Sequence, residues 1–476
     1  MTAASLDALL VNLTRLLGRK RVLSDPSELI VYETDGCTMH NTQPSAVVFP
    51  QGTEEVVSIV QACRAHGIPF VARGAGTGLS GGAMALDGGI IIALNRMNRI
   101  LEVDVENRRA TVEPGVRNLA VSEAAAPHGL FYAPDPSSQA VCTLGGNVAH
   151  NSGGPHTLKH GVTVNHVLGL ELVTPLGERV RIGGSDRPGY DLLALLTGAE
   201  GTLGIVTEIE VGLRQLPEGV RTLLASFPDI DHASEAVSAL IGEGMVPAAL
   251  EMLDDVVVTA LEAAFGFEFQ PGAGALLLVE SDGPIPGLNR EAADIEAVCW
   301  RCGALDVRSA DTEKERADVW TARKKAFGAL GRIARHYYTQ DGVIPRTRLP
   351  DMLRYVRQVA ERHELRIANV FHAGDGNLHP CILYDDSGPE MKRTVLEAGA
   401  EILRYCIELG GSLTGEHGVG VEKREWMTLM FTESDLELMR RLRDAWNPEG
   451  LCNPGKVLPT GGSCAELSPQ ARQVAL

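Results

Sequence analysis

Five glycines between residues 74 and 82 limit what the stretch Pro69–Gly82, PFVARGAGTGLSGG, can become. An apolar run suited to a strand opens into a loop almost without side chains. The backbone N–H groups of such a loop can approach and cradle an anionic group, and Arg73 adds positive charge nearby. Gly76, Gly78 and Gly81 also spell GxGxxG, the dinucleotide fingerprint of a Rossmann fold. That fingerprint needs a helix to open at the third glycine. Here Gly82, Asp87-Gly88-Gly89 and the strand-like run Ile90–Leu94 follow, with no room for a helix. The spacing therefore argues against a Rossmann unit. Taken alone, the loop leaves a phosphate cradle and an ordinary glycine turn both open.

At 476 residues the chain exceeds one core, and two or three domains are expected. A formal charge of −18 argues against nucleic acid or an anionic membrane as a general partner. No apolar run reaches the length of a membrane span. The leucines of the N-terminal stretch fall at helical spacing and lack the continuous core of a signal peptide, so a cytoplasmic location is expected. Nine scattered cysteines fit reduced thiols rather than a disulfide framework, and the lone Cys299/Cys302 pair does not make a zinc site.

In chain order, residues 1–45 read as a helical arm leading into a loop. The segment 46–217 opens with a strand at Ala46–Phe49 and a helix capped by Thr53 with Val56, Val57, Val60 and Cys63 on one face. It carries two further small-residue regions, PDPSS to TLGGNVAHNSGG at 134–154 and GAEGTLG at 198–204. One extended ligand touching several turns accounts for all three. Composition shifts near Pro217. Residues 218–410 then alternate strands and helices, which predicts an α+β substrate (cap) domain with helices on one face of an antiparallel sheet. The segment 411–476 returns to glycine-rich turns and is expected to rejoin the first domain.

The sharpest chemical constellation is His372-Ala373-Gly374-Asp375-Gly376-Asn377-Leu378-His379. Two imidazoles flank a hairpin turn and can converge on one point. Glu416, in TGEHG, adds a carboxylate. Two His and one Glu suit catalytic zinc, and manganese or iron by the same logic; two hairpin histidines bonded to backbone fit the spacing as well. Arg323, on a helix beside Lys324 and Lys325, is a candidate carboxylate clamp if it faces inward.

Nine motifs in order, from PSAVVFPQGTEEV and ARGAGTGLSGGA through PDPSS, TLGGNVAHNSGG, GAEGTLGIVTE, VWTARKKAF, FHAGDGNLHP and GEHGVG to NPGKV, closely resemble the FAD-linked D-2-hydroxy acid dehydrogenases. These are vanillyl-alcohol oxidase-type flavoproteins, here of the glycolate oxidase and D-lactate dehydrogenase kind. The resemblance covers about residues 40 to 460. It implies an FAD-binding domain at 46–217, a cap domain at 218–410, and a C-terminal segment completing the active site. FAD would be wrapped, without a covalent link, by Arg73, Gly74, Ala75, Gly76, Thr77, Gly78, Leu79 and Ser80. Pro134, Asp135, Thr143, Gly145, Gly146, Asn147, Asn151, Gly153 and Gly154 would join them, with Glu200, Gly201, Gly204, Ile205 and Asn453. It further implies a divalent metal, usually zinc, on His372, His379 and Glu416, with His417 as catalytic base.

The resemblance implies oxidation of a small D-2-hydroxy acid to the 2-oxo acid. Electrons then pass to an external acceptor, with a second flavin-type subunit and an iron–sulfur subunit as partners. Arg323, Phe327 and Tyr338 are the expected substrate contacts. Relatives acting on D-2-hydroxyglutarate carry a lysine where this chain has His336-Tyr337-Tyr338, and a small hydroxyl residue near Phe327. Those departures favour glycolate or D-lactate, with the longer diacid, or a non-redox metal-dependent hydrolase, as the alternative.

Overall fold

The computed structural model describes residues 2–184 and 189–460. Residues 461–476, read above as the end of the C-terminal segment, lie outside the described residues. The chain forms two compact units. Met1–Gly153, Val162–Leu216 and Glu416–Gly461 make the first; Gly154–Gly161 and Pro217–Gly415 belong to the second.

In the first unit, Ala46–Val48, Ile90–Ala93 and Phe70–Arg73 pair in parallel, and Val22–Leu23 adds an antiparallel edge. Ile90, Ile91 and Ile92 are fully buried, the continuous apolar run expected of a parallel strand covered on both faces. Residues 74–89 link two parallel neighbours with only a 3-10 turn at Leu86–Gly88, so no Rossmann helix exists here. Asn453 and Leu451 bond to the backbone of Phe70, which carries the C-terminal segment onto the same sheet. A five-stranded antiparallel sheet completes the unit, in the order Ile100–Asp104, Arg109–Val112, Ile205–Gly212, Val167–Val173, Arg179–Gly183.

Two expectations change in this unit. The helix Thr53–Ala65 has Gly52 at its N-cap, and the Thr53 hydroxyl instead donates to the Glu171 carboxylate (2.9 Å). The N-terminal stretch is no detached arm. Its helix, Ala3–Leu17, buries Leu9, Leu13 and Leu17 in the same core as Val56, Ile59, Val60, Ile90 and Ile92.

The second unit is built on a nine-stranded sheet in which every pairing is antiparallel. Asp306–Ala310, Gly219–Phe227, Ala275–Gly283, Ala249–Asp254 and Arg366–His372 follow one another across it. Pro380–Tyr384 then pairs with the N-terminal part of Arg366–His372 and with His336–Thr339. At the other end His372 pairs with Asn377, closing the predicted hairpin.

Helices cover both faces of this sheet, not one. Successive strand residues point to opposite faces. Tyr337 meets Phe327 of the helix Glu313–Ile333 (ring centroids 6.3 Å), whereas Tyr338 lies against Gly399 of the helix Pro389–Glu408. The helix Glu313–Ile333 pairs with Asp255–Phe265 over Leu253, Leu276, Val370, Cys381 and Leu383. The remaining long helices form the other layer. An alternating helix–strand pattern does not reveal which crossovers go to which face, so one-sided and two-sided cover read alike in sequence.

If the N-terminal helix is core, Leu13→Ala should lower stability by about 2–5 kcal/mol in a denaturant titration. A loss under about 0.5 kcal/mol, the usual range for surface changes, would return the helix to the status of an arm.

Candidate active site

In the first unit the three glycine-rich regions come together. Thr143 precedes the helix Leu144–His150, which contains Gly145, Gly146 and Asn147 and ends at Asn151 in the left-handed conformation. A Cβ at Gly74 would collide with the Thr143 hydroxyl, so only glycine permits this approach of loop to helix start. A cleft of about 690 Å³ beside it is lined by Tyr32, Arg73, Gly74, Ala75, Gly115, Arg117 and Thr143. The Arg73 guanidinium is buried over the Tyr32 ring. Burial lowers its pKa, against the nearby Asp35 charge.

Among the described residues, Arg73 Nη1, Ser80 Oγ, Thr143 Oγ1 and His150 Nε2 are buried without a hydrogen-bond partner. Orphaned polar atoms at this density are costly unless a ligand takes them. A dinucleotide, with phosphate oxygens and ring edges that both donate and accept, fits that set of polar atoms. Pro134 accepts from Asn118 Nδ2 just before the second glycine-rich region.

The remaining loops are tied by one carboxylate. Glu200, in the turn before the strand Ile205–Gly212, accepts from the N–H groups of Val419 (2.6 Å) and Gly420 (2.8 Å). A Cβ at Gly418, where φ is +85°, would stand 2.8 Å from the same carboxylate. Asn453 Nδ2 donates to the carbonyls of Gly82 and Glu200, and the buried Lys456 ammonium donates to Met84 O and Asn453 Oδ1. Burial depresses the Lys456 pKa to about 8, against the charges of Asp35 and Glu200. This clamp gathers residues 82–84, 200, 418–420 and 453–456. Gly153 closes its segment of the first unit, while Gly154, expected beside it at the cofactor, belongs to the second.

In the second unit His372 and His379 lie with ring centroids 5.2 Å apart and planes at 89°. His372 Nδ1 donates to Glu251 Oε1 (2.6 Å), and His379 Nδ1 to the Gln340 carbonyl (3.3 Å). An ionised carboxylate and a carbonyl only accept, so both protons sit on Nδ1 and both Nε2 atoms become the lone-pair nitrogens. That is the tautomer a metal ligand needs.

Glu251 is fully buried, and its other oxygen accepts from Arg323 Nε (2.6 Å). Burial alone would raise its pKa; the contacts with His372 and Arg323 outweigh that and lower it. Arg323 is inward-facing, as its proposed role requires, and its Nη2 is buried without a partner.

Phe327 lies one turn further along the same helix, facing Tyr337. Tyr338, expected beside Phe327, is turned to the opposite face with Gly399, because strand side chains alternate. Glu251 is not singled out by the sequence, and Tyr337 enters there only within His336-Tyr337-Tyr338. An acid inside the apolar strand Ala249–Asp254 was the available signal for the first. Glu416 and His417 open the last segment of the first unit, with 3.9 Å between carboxylate and ring nitrogen. The other histidines of this region have structural partners: His156 stacks on Trp320 and bonds to Glu280, and His160 approaches Asp282.

Glu200→Ala would orphan two buried N–H groups at about 1–3 kcal/mol each. Native-state hydrogen exchange should then show faster exchange at Val419 and Gly420, with a lower Tm. Unchanged protection would mean that the loop is held by something else.

Residues 44–183 match the family described as FAD binding domain, and residues 216–457 match FAD linked oxidases, C-terminal domain. The chain is 45% identical over 448 residues to the glycolate oxidase subunit GlcD of Escherichia coli (strain K12), covering 94% of this chain and 90% of that protein. It is 32% identical to a D-lactate dehydrogenase of Anaerostipes hadrus, covering 87% and 90%. The 4-ethylphenol oxidase of Gulosibacter chungangensis superposes with a TM-score of 0.80 at 20% identity, over 97% of this chain and 98% of that one. Together with a glycine-loop cradle suited to a dinucleotide, these matches place the chain in the family of FAD linked oxidases.

Proposed function

We propose that this protein oxidises a small D-2-hydroxy acid, glycolate or D-lactate, to the 2-oxo acid. In this reading FAD is held without a covalent link, and a divalent metal, zinc by preference, is held by His372, His379 and Glu416. The observation that carries it is the buried set in the second unit. Two imidazoles with lone pairs on Nε2 stand beside an arginine that is itself short of a partner.

Bound FAD supplies the two-electron acceptor for the hydride, and a bound metal supplies Lewis acidity that makes a coordinated hydroxyl easier to deprotonate. The chain's residues do the rest. Arg323 binds the substrate carboxylate through its Nη atoms, where a charge-assisted pair has geometric specificity. His417 takes the hydroxyl proton on a ring nitrogen, as an imidazole does in general-base catalysis. Phe327 and Tyr337 keep that side apolar.

A second substrate carboxylate would find Tyr337 and Phe327, whose burial without a counter-charge costs several kcal/mol. The name of the Escherichia coli relative, a subunit, supports transfer of the electrons to partner subunits, a second flavin-type subunit and an iron–sulfur subunit in the reading above. No helix among the described residues is long and apolar enough to cross a membrane. We place the protein in the cytoplasm, meeting a membrane only through such partners.

Comparing kcat/KM for glycolate, D-lactate, L-lactate and D-2-hydroxyglutarate with an artificial electron acceptor tests the substrate. Glycolate and D-lactate should lead, and a clear preference for the diacid overturns the pocket assignment. His372→Ala or Glu416→Ala should abolish turnover with the flavin spectrum intact; a chelated enzyme of full activity rules out the metal. The glycine loop 73–82 has no histidine for a covalent link. Acid precipitation should therefore release the yellow colour to the supernatant, and colour kept in the pellet refutes dissociable FAD.

A further inference from the structure

We infer that Glu251 is a positioning residue that sets two functional groups at once: the tautomer of the ligand His372 and the orientation of the clamp Arg323. The inference rests on the metal reading above and goes beyond it by assigning a role to a residue that touches neither metal nor substrate in that reading.

Glu251 and His372 are direct cross-strand partners, so their side chains rise from the same face of the sheet. Arg323 comes down onto that face from the helix Glu313–Ile333. Each carboxylate oxygen has one short partner at 2.6 Å, His372 Nδ1 on Oε1 and Arg323 Nε on Oε2.

A fully buried carboxylate is tolerated only when its charge is met, and here imidazole and guanidinium meet it together. The first contact obliges His372 to carry its proton on Nδ1 and directs Nε2 outward, as a carboxylate does behind a metal-bound histidine. The second occupies the Nε edge of Arg323. The guanidinium is planar, so fixing one edge fixes the other, and Nη2 is left buried and unpartnered for an incoming anion.

An amide in place of Glu251 can accept from one partner but must present its own N–H to the other. Glu251→Gln thus removes the negative charge that both contacts share and sets an N–H against one of the partners, so the histidine and the arginine are both held less firmly.

The test uses purified, FAD-loaded full-length protein stripped of metal, with Zn²⁺ as probe in equilibrium dialysis and pyruvate binding read from the flavin spectrum. Glu251→Gln should weaken Zn²⁺ binding by about 10–100-fold. It should also weaken pyruvate binding by about tenfold or more, as loss of a charged hydrogen bond does. Flavin content should stay the same. Arg323→Lys should weaken pyruvate and leave Zn²⁺ affinity within about threefold, a split that a merely structural role for Glu251 does not predict.

Should Glu251→Gln fail to fold, Glu251→Gln/Arg323→Met removes the stranded cation as well, and Zn²⁺ affinity must still fall. Wild-type protein that takes up Zn²⁺ while either folded variant takes it up equally well overturns the role of Glu251 alone. Wild-type protein that binds neither Zn²⁺ nor Mn²⁺ overturns the metal reading and this inference with it.

Discussion

A carboxylate removed from water must find donors for its lone pairs, and each unit of this protein is arranged around one that has. In the first unit the carboxylate of Glu200 is met by two backbone N–H groups from the turn that follows His417. In the second, Glu251 is met by an imidazole and a guanidinium. Leaving either acid without its partners would cost several kcal/mol, a large part of a domain's net stability. The surrounding turns and helix are therefore held where those acids need them. Functional geometry follows, because the groups gathered are the glycine loops in one unit and the histidine and arginine in the other.

The glycines are a consequence of the same close packing. Gly74 and Gly418 sit where a Cβ would strike the Thr143 hydroxyl and the Glu200 carboxylate. Removing those side chains lets backbone approach backbone, and leaves buried polar atoms such as Ser80 Oγ and Arg73 Nη1 to be satisfied by something other than the chain. The fingerprint spacing Gly76–Gly78–Gly81 arises here without a helix behind it. No helix opens at Gly81, so whatever the loop offers an anion comes from its own N–H groups and Arg73 rather than from a helix begun by the fingerprint.

Much of this was legible in the residues. Strand–loop–strand without a helix and the hairpin from His372 to His379 both follow from local chemistry. What was not legible depends on parity and on partners far away in sequence. Tyr337 and Tyr338 are equivalent to any local rule, and only the strand's pairing with Leu383 and Ile382 decides which of them joins Phe327. Thr53 looked like a cap because nothing nearby in sequence shows Glu171, 118 positions on, accepting its hydroxyl.

Register binds these points together. On one face of the nine-stranded sheet, Arg308, Leu224, Leu278, Glu251 and His372 are successive neighbours on five strands. The row runs from an arginine through two leucines to the buried acid and then to the imidazole. The leucines floor a cavity of about 270 Å³ that also reaches Arg323. Because side chains alternate with a period of two, a one-residue slip of the strand Ala249–Asp254 would put Leu250 or Met252 opposite His372 and turn Glu251 to the other face. Both polar contacts would then be lost in one step. The apolar residues on either side of Glu251 therefore do more than fill a core. By fixing which face of the strand is which, they fix the position of the only acid in that strand that can reach both His372 and Arg323.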